Sequence, residues 1–305
     1  MSVDRAVFIL LPGKKDMDDH YQLLQEEVAL ATGQRLGLRV EVSYAPGFDQ
    51  LRVLKKRLGQ GDRLDAVITE PSSVSSMDNM LKELRGGTGL VLLNAWGDSV
   101  EDAARGWGPT VPFGTVSTDQ TQIGRIQARQ VKQLLPRGGA VLVVTGPQRS
   151  SAAQERLEAL RSSVGPHVEL LDTQAGEWTE AAGRTAFGDW YRVFKSRSLP
   201  VPVVAAQSDE LAVGVRGAIR DLDDPRHRED LSRAKLLGMD GCPAYGRRLV
   251  DEGTLAATIE NAPNTSLAIE LLCRFWTENG KLPLRSFTEL RPYPASSIPA
   301  GDPAD

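Results

Sequence analysis

The stretch AAQSDELAVGVRGAIR, Ala205 to Arg220, sets Ser208, Asp209 and Glu210 between an apolar run and an amphipathic helical pattern. Two roles compete for such a triplet. A Ser or Asp at a helix N-cap, with acid in the first turn, stabilises a helix by about 1 kcal/mol. The same acceptors can also hold a ligand rich in hydroxyl groups. The ligand role gains weight from repetition, because Glu70, Asn94, Ser208 and Asp240 each follow an apolar run at the same place.

Signatures of catalysis are sparse. LGQGDRLD carries two glycines but follows a helical pattern rather than a strand, so it fails as a dinucleotide fingerprint. VVTGPQRSSAAQER follows a strand and opens a helix, yet lacks the Gly-Lys-Ser/Thr ending of a phosphate loop. There is no Gly-x-Ser-x-Gly elbow. His20, His167 and His227 are far apart and no pair has metal-binding helical spacing. DMDDH, Asp16 to His20, reads as a solvated cap before a helix rather than a metal site. Cys242 has no histidine close in sequence to activate it and reads as a small buried thiol. These features call for no cofactor, no metal and no enzymatic activity.

Three aromatic residues, Tyr21, Trp96 and Trp178, fall at strand-to-helix junctions. A flat aromatic face rimmed by carboxylates and amides suits a sugar ring, with its apolar C–H faces and hydroxyls that both donate and accept.

The elements that must position these residues alternate along the chain. RAVFILLP, RVEVSYAP, LDAVITEP and GLVLLN are strand-like and are separated by helical patterns at Asp19–Gly33, Phe48–Leu58 and Ser75–Leu84. After FGTVSTDQ and a helix over Thr121–Leu135, a second series follows: AVLVVTGP, VELLDTQAG, VPVVAAQS, AKLLGMDG and TLAATIEN. Continuous apolar runs predict parallel sheets covered on both faces by helices. The length favours two sheets of about five strands over one sheet of ten. In open parallel sheets, ligands lie beyond the carboxyl ends of the strands, where these junction residues sit.

Composition excludes other classes. The 36 basic and 40 acidic residues are dispersed through 305 positions, which argues against nucleic-acid binding. Two cysteines make no disulfide scaffold. No apolar stretch approaches the roughly 20 residues of a membrane helix. Arg5 precedes an apolar run that meets Pro12 too soon for a signal-peptide core, so the chain as written reads as soluble and unexported. A trimmed precursor would read the same way.

TVSTDQTQIGRIQARQ, VVTGPQRSSAAQERLEAL, VVAAQSDELAVGVRGAI and LLGMDGCPAYGRRLVDEGTLAATIENAP, in that order and spacing, resemble the type I periplasmic binding proteins. The match is to their ribose-binding-like sugar receptors and to the related effector domains of lactose-repressor-type regulators. The resemblance covers nearly the whole chain. It implies an α/β fold of two Rossmann-like lobes joined by three crossovers, near Ser117–Asp119, Asn261–Pro263 and Phe287–Leu290. One lobe would comprise 1–117 and 262–288, the other 118–261 and 289–305. Ligand would bind in an interlobe cleft that closes by hinge motion.

The resemblance also implies site residues. The family's aromatic pair falls on His20 and Tyr21, after Asp18 where asparagine is common. Glu70 replaces an asparagine, and Asn94 with Ala95 replaces an Asp-Arg pair. Arg156 matches the ligand-gripping arginine and Trp178 the stacking aromatic. Ser208 stands for an asparagine, Asp240 for the hydroxyl-binding acid and Asn261 for the hinge amide. Losing an arginine while gaining Glu70 makes the site more acidic than a ribose site, which implies a hexose, a cyclitol or a cationic amino sugar. An uncompensated Glu70 should meet ligand donors, Arg156 or water, or take up a proton. The implied partner is an ABC permease or a membrane sensor, in the periplasm if an export leader was trimmed. A cytoplasmic effector-binding domain, with Met1 the native start, and a doubly wound enzyme acting on a sugar are the alternative readings. No helix-turn-helix headpiece precedes RAVFILLP, so direct operator binding is not expected.

Overall fold

The structure is a computed structural model that describes residues 5–15, 19–84, 87–195, 200–278 and 280–298. Strand and helix alternate from the start: β1 (Ala6–Pro12), α1 (His20–Leu36), β2 (Arg39–Ala45), α2 (Gln50–Leu58), β3 (Ala66–Thr69), α3 (Val74–Glu83), β4 (Gly89–Leu93), α4 (Asp98–Gly106) and β5 (Phe113–Ser117). The series resumes with α5 (Gln120–Leu134), β6 (Gly139–Thr145), α6 (Ser151–Val164), β7 (Val168–Gln174), α7 (Glu180–Phe194), β8 (Val203–Ala206), α8 (Asp209–Arg220) and α9 (Pro225–Ser232). It ends with β9 (Lys235–Leu237), α10 (Arg248–Asp251), β10 (Thr258–Asn261), α11 (Asn264–Glu278), β11 (Arg285–Phe287) and β12 (Leu290–Tyr293). A π-helical turn, Pro243–Arg247, runs directly into α10.

The chain forms two compact α/β units. The first is Met1–Thr118 with Ala262–Thr288 and the second is Asp119–Asn261 with Glu289–Asp305, so the backbone passes from one to the other three times.

In the first unit, six strands take the order β11-β5-β4-β3-β1-β2, all parallel. The central strands are apolar along their length because both faces are covered: Phe8 and Leu10 face a core with Met77, Met80 and Val100, while Ile9 and Leu11 face one with Ala29, Ile269 and Leu272. Each such side chain, removed from water, contributes about 2 kcal/mol. The edge strand β2 departs from the expectation of full coverage. Its residues are exposed or half-buried up to the buried Ala45, and it pairs on one side only.

In the second unit, four parallel strands take the order β7-β6-β8-β9, and β10 pairs antiparallel with β12. Edge strand β7 again shows exposed and half-buried positions rather than continuous burial. Side-chain caps set the helix starts: Asp119, Ser150, Thr179 and Ser208 each accept from the backbone N–H three residues on. Ser150, Thr179 and Ser208 each follow the carboxyl end of a strand of this unit, β6, β7 and β8. Among the described residues, no helix is long and apolar enough to cross a membrane.

Candidate functional site at the strand ends

In the first unit, His20 and Tyr21 open α1, directly after the N-cap Asp19, whose carboxylate accepts from Gln22 N at 3.0 Å. The Tyr21 hydroxyl donates to the Ala262 carbonyl at 3.4 Å. Glu70 and Asn94 follow β3 and β4. Asn94, in the left-handed region at φ 50°, uses both ends of its amide. Its Nδ2 donates to Glu70 Oε1 at 3.1 Å, and its Oδ1 accepts from Thr118 N and from Asn264 Nδ2, each at 3.0 Å. Asn264 Oδ1 in turn accepts from the hydroxyls of Thr118, at 3.3 Å, and Thr288, at 3.1 Å. Glu70 is thereby linked through two amides to two of the points where the chain leaves this unit.

The other oxygen of Glu70, Oε2, and the Gln22 Oε1 are buried and meet no hydrogen-bond partner among the described residues. Burial, more than any other cause, pushes the Glu70 carboxyl above the usual range, and the neighbouring Asp19 charge adds to this against the Asn94 and Gln22 hydrogen bonds. Asp19 is raised for the same main reason, opposed by the amides of Gln22 and Tyr21 and by the His20 charge. Asp18 lies outside the described residues. Trp96 is part-exposed, with one ring face covered. The Arg285 guanidinium stacks 4.7 Å from its centroid and 4.6 Å from that of Phe287.

In the second unit, Arg156 projects from α6 and is buried. Its Nε donates to Gln120 Oε1 and its Nη1 to the Gln207 carbonyl, both at 2.7 Å, and its Cζ lies 5.4 Å from the Trp178 ring centroid. Trp178 packs so tightly on the Gly146 backbone that any Cβ there would overlap the ring. Ser208 is buried and its hydroxyl caps α8 by accepting from Leu211 N at 3.2 Å, so capping claims this side chain.

Asp209, the next residue, is wholly buried. It accepts from the Thr258 hydroxyl at 2.7 Å and from Gly241 N at 2.8 Å. These bonds hold the turn that carries Asp240, a non-glycine residue at φ 102°. A residue other than glycine in that region costs about 1–3 kcal/mol and persists only where its surroundings dictate it. Asp240 N donates to the Ile259 carbonyl at 3.0 Å, and its carbonyl accepts from Asn261 N at 3.1 Å, so Asp240 and the buried Asn261 share one corner. Burial and the Asp240 charge push the Asp209 carboxyl well above its ordinary value.

Each unit therefore gathers its own share of the expected residues: Glu70 with Asn94 and the start of α1 in one, Arg156 with Trp178 and Asp240 with Asn261 in the other. Sequence reasoning missed the amides that position them. Gln207 accepts from Gly146 N and donates to the Ala153 carbonyl, both at 2.9 Å, and Gln120 and Asn264 anchor Arg156 and Asn94. Their only signal was adjacency to the junction motifs, in STDQ, AAQSDE and NAPNT. A cavity of about 500 Å³ in the second unit lies elsewhere, lined by Trp190, Tyr191, Phe194 and His227 beside Val201 and Pro202 at the amino end of β8. Among the described residues, no cluster of three or more His, Cys, Asp or Glu side chains could hold a metal ion.

Residues 43–276 match the family model described as a periplasmic binding protein domain. The ribose import binding protein of Escherichia coli is 25% identical over 214 residues, which cover 63% of this chain and 68% of that protein. An ABC transporter periplasmic solute binding protein from Actinobacillus succinogenes, solved with bound D-allose, superposes with a TM-score of 0.80 at 15% identity, covering 96% of this chain and 99% of that one. A solute binding protein from Bacillus halodurans with bound myo-inositol gives a TM-score of 0.74 at 18% identity, covering 95% of each chain. On the family match, carried by a chain that leaves and re-enters each of its two doubly wound units, the protein belongs to the type I periplasmic binding proteins.

Proposed function

We propose that this protein is a receptor that binds a small sugar or sugar-like polyol reversibly, without catalysis. The observation that carries the reading is the pairing of Trp178 with Arg156 at the strand ends of the second unit. An aromatic plane fixed against the Gly146 backbone offers a surface for the apolar face of a pyranose or cyclitol. A guanidinium anchored at Nε and Nη1 keeps a defined direction for gripping a ring oxygen or hydroxyl. Asp240, held in its strained turn, accepts from hydroxyls, and Asn261 offers an amide beside it.

In this reading the first unit supplies Tyr21 and His20 for the ring and Glu70 and Asn94 for its substituents. The neighbours' ribose, D-allose and myo-inositol are all polyhydroxylated rings, and that shared chemistry supports the ligand class. Bound ligand favours the conformation that holds it best. It shifts the equilibrium only by its difference in affinity for the states available. An ABC permease or a membrane sensor in the periplasm reads the ligand-bound form.

Titration calorimetry against a panel of hexoses, pentoses and cyclitols tests the proposal. Arg156→Ala and Asp240→Ala should each weaken binding of the best ligand by about 100-fold, the equivalent of losing a charge-assisted hydrogen bond and leaving its partner unsatisfied. Affinity unchanged in both variants would remove this site.

A further inference from the structure

Among the described residues, Glu70 is a strand-end carboxylate with one oxygen left without a hydrogen-bond partner. Oε1 is held by Asn94 Nδ2, while Oε2 is buried and unpartnered. Around it, among the described residues, stand a second carboxylate and neutral amides. From α1 come the Asp19 carboxylate, close enough to act on Glu70 electrostatically, and the Gln22 side chain, whose hydrogen bond favours the charged form of Glu70 while its own Oε1 lacks a partner. From β4 and α11 come the neutral amides Asn94 and Asn264. His20, which opens α1, acts on Asp19. No ion pair reaches Glu70 among the described residues, and position 95, next to Asn94, is an alanine rather than a cation. A protein that kept this carboxyl only for structure would gain by replacing it with an amide or an apolar group, since an uncompensated buried charge is costly.

A ligand can supply the complement. A hydroxyl donates one hydrogen and leaves the charge uncompensated, whereas an ammonium donates three and offsets it. Resting on the sugar or polyol reading above, we infer that Glu70 makes this receptor selective for an amino-substituted sugar or cyclitol over its hydroxyl counterpart, the ammonium group seating on the Glu70 carboxylate. The remaining hydroxyls of the ring are read as the neutral compound's would be.

The test compares matched probes by calorimetry at pH 7: D-glucose with D-glucosamine and N-acetyl-D-glucosamine, D-galactose with D-galactosamine, and myo-inositol with an amino-deoxy inositol. In at least one set the amine should bind tenfold or more tighter than both its hydroxyl and its N-acetyl forms. In Glu70→Gln, with folding checked by thermal melting, that ratio should fall to about one. A second measurement does not depend on the variant: the wild-type ratio should shrink on acidification, as the carboxylate takes up its proton. Neutral probes that bind as well as or better than their amines would overturn this inference and leave the polyol receptor standing, as would a preference that survives Glu70→Gln. Binding to none of the probes would overturn both.

Discussion

Asp209 offers a sharp test of how the second unit holds Asp240. Its carboxylate receives the Thr258 hydroxyl and the Gly241 N–H in a fully buried setting, so Asp209→Ala strands two donors. An unsatisfied buried donor costs about 1–3 kcal/mol, which puts the loss near 3 kcal/mol and the fall in melting temperature at about 10 °C. Asp209→Asn behaves differently. Its carbonyl oxygen still accepts from Gly241 N, and its amide donates to Thr258 Oγ1 once that hydroxyl rotates. The asparagine imitates the protonated acid, at a cost of about 1 kcal/mol or less where the wild type is itself protonated.

The pH dependence fixes the sign. Burial and the Asp240 charge raise the Asp209 pKa in the folded protein above its ordinary 3.8, so the folded state binds the proton more tightly than the unfolded chain. This contribution to stability is complete below the unfolded value and is lost as pH rises through the raised one. Asparagine does not titrate. The melting temperature of Asp209→Asn minus that of the wild type should therefore climb as pH is raised from 4 to 8, measured by calorimetric scans in matched buffers. A difference that stays flat over this range, or an asparagine variant as damaged as the alanine, would refute the account of a buried, proton-retaining brace.

Two further substitutions probe the same framework. Gly146→Ala drives a methyl group into the Trp178 ring, so it should displace the indole and weaken ligand binding tenfold or more, read as a changed tryptophan emission and a lower affinity in the same preparation. Asn94→Ala removes the amide that joins Glu70, Thr118 and Asn264; it should destabilise the protein by about 2 kcal/mol in urea titration, whereas Trp96→Ala, at an exposed stack, should cost less than half of that.

The central strands were legible because burial on both faces leaves only apolar residues, as AVFILL and AVLVVT show. RVEVSYA and VELLDTQ were legible as strands too, but not as edges: with a partner on one side only they are not buried throughout and tolerate Glu41, Glu169 and Asp172. Strand β11 is only three residues long and joins its sheet beside β5 from the far end of the chain, so no local pattern announces it. Acidic and aromatic junction residues could be picked out by type and place. The amides Gln120, Gln207 and Asn264 could not, since glutamine and asparagine carry no periodic signature and their value lies in which backbone groups the tertiary fold brings to them. Trp96 had the right address, but an arginine nearly 190 positions later covers it.

The discontinuous first unit has a consequence for biogenesis. One face of its sheet is closed by Ala268, Ile269, Leu271 and Leu272 of α11, which a ribosome makes only after the entire 119–261 segment. Until then Ile9, Leu11, Ile68 and Val91 lack the α11 part of their cover, and nascent β1 to β5 present an adhesive apolar surface to whatever else is near. Synthesis that stalls short of residue 272 should accordingly yield a chaperone client rather than a half-working receptor.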